Sequence, residues 1–299
     1  MSTPEQLAQA TQVLELKDGR KLGVAEVGDP KGYPIFFFHG WPGSRASVLS
    51  MDAIAKEQQV RLIGTDRPGM GLSSPKPKRA LLDWPKDVEE VADLLGIEQF
   101  SVAGLSGGGP YALACTVKLP QRVQSVGIVA GMGPFELGTE GMRPTNKFVF
   151  GLAKKANWLL RFFLWLGIGR SAHDLNKLKV LIPKSTKDLP PPDQKVMREP
   201  EIAPLFALEM QEAFRQGAKW VAQEGAIYTS YWGFNFEDLP NIPTYLWHGD
   251  QDLNVPIHMG RTMAQRASHT QATFDPEHGH ISIFAQYRTE LLDVLKPTS

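Results

Sequence analysis

One segment, residues 100–114, restricts the fold of this chain more than any other, because it reads as a strand, a tight turn and a helix. Ser106 lies at the turn, with Gly104 and Gly108 two residues to either side. A serine on such a sharp turn has strained backbone dihedrals, so its neighbours must be nearly free of side chains for the two segments to approach. The turn exposes the Ser106 hydroxyl at a helix N-terminus, where N–H groups and the helix dipole stabilise negative charge.

The composition allows one large α/β domain or two small ones. The 299 residues are 42% hydrophobic, enough to bury a sizeable core. Basic and acidic side chains number 32 each, so the formal net charge is zero. We therefore expect neither nucleic acid nor an anionic membrane as the main partner, although this balance does not exclude a local charged patch. Cys115 is the single cysteine, so no intramolecular disulfide is expected.

Two further segments bear on location. The first ten residues are polar and lack the apolar region of a signal peptide, which predicts a cytoplasmic protein. Residues 148–168 are strongly apolar, but Lys154, Lys155 and Arg161 interrupt them, so we expect no stable membrane span. Two interpretations of this stretch stay open: amphipathic helices packed over a core, or an interfacial segment or mobile lid above a substrate pocket.

Strand-like and helical segments alternate along most of the chain, which predicts a parallel sheet covered by helices on both faces. The alternation stops after residue 133 and resumes at residue 239. We therefore predict an α/β core of residues 1–133 and 239–299, interrupted by a mostly helical insertion of residues 134–238 with a proline-rich break at residues 183–204.

Local patterns place several elements of the core. Asp-Gly within Lys17–Arg20 predicts a hairpin turn. The continuous apolar run Pro34–Phe38 is typical of a strand buried on both faces. We expect helices over residues 46–58 and 85–96, the second with Pro85 in its first turn and a glycine at its end.

Five motifs, in their order along the chain, resemble those of the α/β-hydrolase fold family. They are His39-Gly-Trp-Pro-Gly43, Asp66-Arg-Pro-Gly-Met-Gly-Leu-Ser73, Gly104-Leu-Ser-Gly-Gly108, Gly249-Asp-Gln-Asp-Leu-Asn-Val-Pro256 and Gly279-His280. The order nucleophile, acid, histidine is itself a trait of this family. The resemblance implies an α/β fold with a mostly parallel central sheet, helices on both faces and a helical cap, here residues 134–238, over the catalytic face.

The resemblance also implies a serine hydrolase with Ser106, Asp252 and His280 as its catalytic residues. Ser106 would attack a carbonyl carbon, His280 would accept and return a proton, and Asp252 would hold the imidazole in one tautomer. Asp250 and His278 are rivals in the same two loops, but the family pattern places the acid three residues before Val-Pro. No cofactor and no metal are implied, since His278 and His280 have no evident further ligands nearby.

The resemblance places the oxyanion hole at the backbone N–H groups of Trp41 and Gly107. The aromatic insertion predicts an apolar pocket for a small-molecule substrate, and we expect it to be lined by Trp41, Trp158, Phe162 and Trp232. The opposite interpretation, in which all the insertion's aromatic residues pack inside it, stays open. Asp66 and Arg67 are expected to form an ion pair that orders a loop beside the site.

The predicted reaction is cleavage of an ester, lactone or thioester of a small, largely apolar substrate through an acyl-enzyme on Ser106. An aspartate nucleophile, as in epoxide hydrolases and dehalogenases, is excluded because serine occupies that position. Two alternatives stay open: a carbon–carbon bond hydrolase or cofactor-free lyase or oxygenase on the same residues, and a slow small-ligand receptor. The sequence does not determine the oligomeric state.

Overall fold

The computed structural model describes residues 3–297, apart from the side chains of residues 183–185. Eight strands form a single sheet. The strands are β1 (Thr11–Glu15), β2 (Lys21–Gly28), β3 (Tyr33–Phe38), β4 (Val60–Thr65), β5 (Phe100–Leu105), β6 (Val123–Val129), β7 (Thr244–Gly249) and β8 (Thr270–Asp275).

The spatial order of the strands is β1-β2-β4-β3-β5-β6-β7-β8. Only the pairs β1–β2 and β2–β4 are antiparallel, and every other neighbouring pair is parallel. The predicted hairpin joins β1 to β2, with Gly19 at a φ of 79°. The mostly parallel sheet that the sequence predicts is therefore confirmed.

The helices begin and end as the α/β alternation requires. They are α1 (Thr3–Ala10), α2 (Asp52–Glu57), α3 (Trp84–Leu94), α4 (Gly109–Lys118), α5 (Pro144–Lys155), α6 (Asn157–Leu164), α7 (Leu175–Ser185), α8 (Pro191–Met197), α9 (Ile202–Ala213), α10 (Ala218–Tyr228), α11 (Ile257–Arg266) and α12 (His280–Val294). Helices α5 to α10 all lie between β6 and β7, in the region that we call the helical insertion (residues 134–238). Within residues 3–297, no helix combines the length and apolarity needed to cross a membrane.

Strand β3 shows why the sheet needs helices on both faces. Its four central and final side chains, from Ile35 to Phe38, are all at most 1% exposed. Successive side chains point to opposite faces, and accordingly Phe36 and Phe38 join one apolar cluster while Ile35 and Phe37 join another. A strand that is apolar on both faces is stable only between two helical layers.

Two local predictions differ from the structure. The segment expected as one helix over residues 46–58 is a 3₁₀ helix, Arg45–Met51, followed by α2. Ser44 caps the 3₁₀ segment, since its side chain accepts a hydrogen bond from the Ala46 N–H. The proline-rich break expected at residues 183–204 is also narrower, because α7 continues to Ser185 and α8 begins at Pro191.

Candidate active site

The parallel strands bring the motifs together at one edge of the sheet. Strands β3, β5, β7 and β8 run in the same direction, so their carboxyl ends meet at that edge. The loops that leave these ends carry residues 39–43, 106–108, 249–256 and 275–280. Ligands of open α/β sheets bind outside the carboxyl ends of the strands.

Ser106 occupies the sharp turn between β5 and α4. Its φ is 55°, a left-handed conformation that is costly for a serine. A Cβ atom on Gly104 would lie 2.4 Å from the Gly108 carbonyl oxygen, and one on Gly108 would lie 1.9 Å from that of Phe38. Both flanking positions therefore require glycine, as the sequence predicts, and the turn holds Ser106 in one fixed place.

Asp252 and His280 form a direct hydrogen bond. Asp252 Oδ2 lies 2.7 Å from His280 Nδ1. The other carboxylate oxygen accepts the backbone N–H groups of Asn254 and Val255, both at 2.8 Å. These bonds leave the imidazole Nε2 as the nitrogen that can exchange a proton with a substrate or nucleophile.

The same contacts set the charges of the pair. Burial opposes the ionisation of Asp252, but His280 and His248 outweigh it and hold the pKa of Asp252 well below its usual range. Burial likewise disfavours the imidazolium of His280, but the charge and hydrogen bond of Asp252 raise the pKa of His280 above its ordinary value. The ionised carboxylate thus favours a positive charge on the imidazole, which a general base needs once it has taken a proton.

Two rival residues from the sequence lie elsewhere. Asp250 is paired with Arg261 near the surface, at 3.3 Å. His278 Nε2 lies 3.7 Å from a carboxylate oxygen of Asp275. Only Asp252, of the two candidate acids, is hydrogen-bonded to His280 among the residues that the structure describes.

Ser106 and His280 both follow the carboxyl ends of parallel strands, β5 and β8, at the same edge of the sheet. No hydrogen bond joins the serine hydroxyl to the imidazole within residues 3–297. Catalytic hydrogen bonds are often long in sites without a substrate and shorten in the productive complex. Ser106 is nearly buried, with 9% of its surface exposed.

The loop after β3 packs against the serine turn. A Cβ atom on Gly40 would lie 3.5 Å from Ser106 Cβ, and one on Gly107 would lie 3.0 Å from Trp41 Cβ. The two residues expected to form the oxyanion hole, Trp41 and Gly107, are therefore neighbours. Trp41 is held by its indole N–H, which donates to the Val221 carbonyl at 2.9 Å.

Arg67 fixes the orientation of this loop through two hydrogen bonds. Its guanidinium donates to the His39 carbonyl at 2.6 Å and to the Gly40 carbonyl at 2.8 Å. The Gly40 carbonyl and the Trp41 N–H belong to one planar trans peptide and point in opposite directions. The hydrogen bond to the carbonyl therefore also fixes the direction of the Trp41 N–H.

Arg67 is itself held by the helical insertion. It forms a fully buried ion pair with Glu224 of α10. The sequence predicts Asp66 and Arg67 as loop-ordering residues, but they do not pair with each other: Asp66 binds Arg45 at 2.7 Å. Asp66 and Arg67 therefore have different ion-pair partners, Arg45 and Glu224.

A second carboxylate from the insertion binds the start of α12. Asp193 of α8 is fully buried and accepts the backbone N–H groups of His280 at 2.9 Å, Ile281 at 3.0 Å and Ser282 at 2.9 Å. These are N–H groups that the first turn of a helix leaves without a partner. Asp193 therefore caps the helix that begins with His280, and its charge contributes to the raised pKa of that histidine.

Glu209 of α9 is a third carboxyl group beside the site. It is only partly exposed, and a Cβ atom on Gly43 would lie 2.7 Å from its Oε1 and 2.6 Å from His39 Nδ1. Burial raises the pKa of Glu209 to about 8, against smaller opposing effects of the Ser44 backbone and Arg67. Glu209 is thus largely protonated at neutral pH.

The four residues predicted to line the pocket lie in different environments. Trp41 packs beside the serine turn and contacts Phe150, with ring centroids 5.2 Å apart. Trp232 is 2% exposed, and its indole N–H donates to the Tyr228 carbonyl. Trp158 and Phe162 face solvent, with 74% and 48% of their surfaces exposed. Their role in a pocket stays a prediction.

Sequence reasoning missed the insertion residues that support the site. Asp193, Glu209 and Glu224 lie on helices α8, α9 and α10, which carry no motif. Asp193 lies 87 residues before His280, and Glu224 lies 157 residues after Arg67. The one available signal was the presence of acidic residues in a largely apolar helix, such as Glu209 and Glu212 in Ile202–Ala213.

The chain is similar to known hydrolases. A family model described as the alpha/beta hydrolase fold matches residues 33–286. A 2-hydroxymuconate semialdehyde hydrolase of Pseudomonas putida is 25% identical over 284 residues, which cover 94% of this chain and 91% of that protein. A proline iminopeptidase of Neisseria gonorrhoeae is 30% identical over 116 residues, 38% of this chain and 37% of that protein.

Solved structures agree on the architecture. An esterase from Exiguobacterium antarcticum superimposes with a TM-score of 0.66 at 18% sequence identity, over 96% of this chain and 99% of that one. At this identity the superposition shows the fold alone. This esterase therefore shares the α/β arrangement described above.

Proposed function

Because the chain belongs to the α/β-hydrolase fold family, we propose that it is a serine hydrolase that cleaves an ester, lactone or thioester through an acyl-enzyme on Ser106. Hydrolases are its similar proteins, and the family model covers both the serine turn and the histidine loop. The observation that carries the proposal is the 2.7 Å hydrogen bond between Asp252 and His280, at the sheet edge where Ser106 occupies its strained turn.

In the proposed first step, His280 Nε2 removes the proton of the Ser106 hydroxyl as Oγ attacks the substrate carbonyl carbon. The carbonyl oxygen becomes an oxyanion, and the N–H groups of Trp41 and Gly107 stabilise it. Asp252 stabilises the imidazolium, which then donates its proton to the leaving oxygen or sulfur as the bond between that atom and the carbonyl carbon breaks, and the acyl group stays on Ser106. Each such donor of an oxyanion hole contributes roughly 10²–10³-fold to the rate.

In the second step, a water molecule attacks the acyl-enzyme and His280 accepts its proton. The tetrahedral intermediate collapses, the acid product leaves, and the proton on His280 returns to Ser106 Oγ. The ionised Asp252 favours the imidazolium in both steps, in line with the raised pKa of His280.

A small, largely apolar substrate is supported by the residues next to the serine turn. Trp41 contacts Phe150 and Tyr228, with ring centroids 5.2 and 6.0 Å apart. An aromatic wall beside the reacting serine favours apolar acyl groups over charged ones. We propose residues 134–238 as the cap that supplies the rest of this wall.

The experiment that tests the proposal is hydrolysis of p-nitrophenyl esters, from acetate to laurate, by the wild type and Ser106→Ala in parallel. We expect activity in the wild type, its loss in the variant, and labelling of Ser106 by a fluorophosphonate probe. A folded wild type that neither hydrolyses any ester nor reacts with the probe would refute the serine mechanism. Labelling without ester hydrolysis would keep the nucleophile but restrict the substrate.

A second candidate is a carbon–carbon bond hydrolase that uses the same three residues. The similarity to a 2-hydroxymuconate semialdehyde hydrolase over 94% of this chain favours it. An acyl-enzyme trapped with a true substrate would favour the ester hydrolase. Turnover of a semialdehyde analogue with no detectable acyl-serine would favour the second candidate.

A further inference from the structure

One surface of the helical insertion exposes a group of large apolar side chains. We call this group the aromatic face, and its members are Phe148, Trp158, Phe162, Phe163, Trp165 and Leu166. Each is at least 38% exposed, and Trp158 reaches 74%. Contiguous exposed apolar surface marks an interaction site, whereas isolated exposed apolar residues are ordinary.

The aromatic face is continuous. The ring centroids of Phe148 and Phe163 are 5.6 Å apart, those of Phe163 and Phe162 are 5.8 Å apart, and those of Phe162 and Trp165 are 6.2 Å apart. Trp158 lies one helical turn before Phe162 on α6, so the two share a side of that helix. The aromatic face therefore extends from α5 along the whole of α6.

Positive charge surrounds the aromatic face. Residues 141–173 contain no acidic side chain in a chain with equal numbers of acids and bases, so the rest of the chain is net negative. Of the six basic residues of this segment, Arg143 is half-buried and donates to Asn146, and the exposed ones are Lys147, Lys154, Lys155, Arg161 and Arg170. In the part of the chain that the structure describes, none of them forms an ion pair.

The basic and apolar side chains share the same helix surfaces. On α5, Lys147, Phe148, Lys154 and Lys155 are all exposed and recur at helical spacing. On α6, Arg161 is exposed between Trp158 and Phe162. Basic residues beside Trp, Phe and Leu are the composition of helices that lie in the interface of an anionic bilayer.

We propose that the aromatic face, with its surrounding cations, docks onto anionic lipid bilayers. Its rings would enter the boundary between headgroups and acyl chains, and the lysines and arginines would bind lipid phosphates and carboxylates. A second copy of the chain fits less well, because a symmetric pair would place two sets of unpaired cations against each other. The net charge of the whole chain is zero because the acids that balance these cations lie outside residues 141–173.

The docking surface and the candidate site lie on opposite sides of the same helices. Phe148 of α5 faces solvent, whereas Phe150, two residues later, is 5% exposed and contacts Trp41. On α6, Leu160 is buried in a cluster that also includes Trp41. A bilayer bound to the outer side would therefore lie one helix layer from the serine turn.

The test is co-sedimentation of the full chain with vesicles, which requires no catalysis and so does not depend on the proposed function. Vesicles of phosphatidylcholine and phosphatidylserine, in a ratio of roughly 3:1, are compared with phosphatidylcholine alone. We expect binding to the first and little to the second, and a loss of binding as salt is raised. Sedimentation with neither vesicle would overturn the proposal.

Paired surface variants separate the two contributions. Lys154→Gln with Lys155→Gln should weaken binding roughly 10-fold or more, since each cation near an anionic surface contributes several-fold. Trp158→Ser should weaken it by about 10-fold through the lost apolar contact. The controls are Lys17→Gln with Lys31→Gln and the exposed Leu94→Ser, all outside the insertion, and these should bind as the wild type does.

Two results would contradict the assignment of this surface. Equal losses in the insertion variants and in the controls would mean that binding is not localised to the aromatic face. A dimer in light scattering that Trp158→Ser dissociates, together with no vesicle binding, would identify the face as a contact between copies. Circular dichroism of each variant verifies that it is folded.

Discussion

The carboxylate of Asp193 accepts the backbone N–H of His280 at 2.9 Å, so a residue of the helical insertion holds the helix that begins with the candidate general base. The same carboxylate accepts the Ser282 hydroxyl at 2.7 Å. Asp193 does not touch the reacting atoms and is a positioning residue. Both the position and the pKa of His280 therefore depend on how α8 packs against the start of α12.

Asp193→Asn should lower the pKa of His280, because the substitution removes a negative charge while an amide oxygen still caps the helix. A general base must be neutral, so the acidic limb of the kcat/KM profile should move to lower pH. Asp193→Ala should in addition lose roughly 1–2 kcal/mol of stability with the cap.

The matched control is Glu199→Gln, an exposed carboxylate just after α8. It should leave the pH profile where it is in the wild type. A purely structural role of Asp193 would reduce stability without moving the acidic limb, and that result would contradict the electrostatic part of the prediction.

Arg67→Met should reduce kcat more than it raises KM. The variant releases the His39 and Gly40 carbonyls and so frees the Trp41 N–H that we propose as an oxyanion donor. It also removes one of the two arginines that pair with the buried Glu224, the other being Arg79 at 3.5 Å, so the melting temperature should fall as well. The matched control Arg79→Met removes the other arginine but leaves the two loop carbonyls bound, so it should lower the melting temperature without a comparable loss of kcat, and an equal loss of kcat would argue against the oxyanion role.

Asp252→Asn should lower kcat by at least about 100-fold, since the imidazole loses the charge that stabilises its protonated form. Asp250→Asn is the matched control two residues away, because Asp250 pairs with Arg261 near the surface. Steady-state kinetics of the two variants separate them. A larger loss in Asp250→Asn would show that the acid is misassigned.

Ser106→Ala and His280→Ala should each lower kcat by roughly 10⁴–10⁶-fold, and the double variant should be scarcely slower than either. The reason is that the two residues act in one proton transfer. Once either residue is replaced that step is lost, so replacing the other lowers the rate little further. Single-turnover assays with an activated ester give the three rates. Losses that multiply would mean that the residues act independently.

Glu209→Gln should change how stability depends on pH. The carboxyl is protonated in the folded protein up to a pKa of about 8 but ionises near pH 4.5 when unfolded. Its contribution is therefore fully present at acidic pH and is lost as the pH rises toward 8, with a slope of up to about 1 kcal/mol per pH unit. Urea unfolding at pH 5 and pH 8 should show a smaller difference in Glu209→Gln than in the wild type or in the exposed control Glu201→Gln.

The sequence predicts those parts of the fold and site that depend on local spacing. The turn at Ser106 is readable because the two glycines that permit it are within two residues. The sheet is readable because strands such as Tyr33–Phe38 are apolar throughout. Asp252 and His280 lie in short loops after strands, so their pattern is also local, although their hydrogen bond is visible only in three dimensions.

The contacts between the insertion and the core could not be predicted in this way. A buried ion pair such as Arg67 with Glu224 depends on how a helix docks, and nothing near Glu224 in the sequence indicates its partner. The same reason explains Trp158 and Phe162, whose hydrophobicity favours burial in a pocket but whose helix face turns outward. The periodicity of a sequence shows that a helix has an apolar face, but it does not show whether that face packs against the protein or faces solvent.

Three carboxylates of the insertion occupy buried positions in the rest of the protein: Asp193 at the start of α12, Glu212 on Arg45, and Glu224 on Arg67. A hydrolase of this kind cannot exchange its insertion for a relative's as a free module. A transplanted segment without matching acids would leave the start of α12 without its cap and would take one buried carboxylate away from each of Arg45 and Arg67. A working graft must therefore bring along Asp193, Glu212 and Glu224, or acids that reach the same three partners.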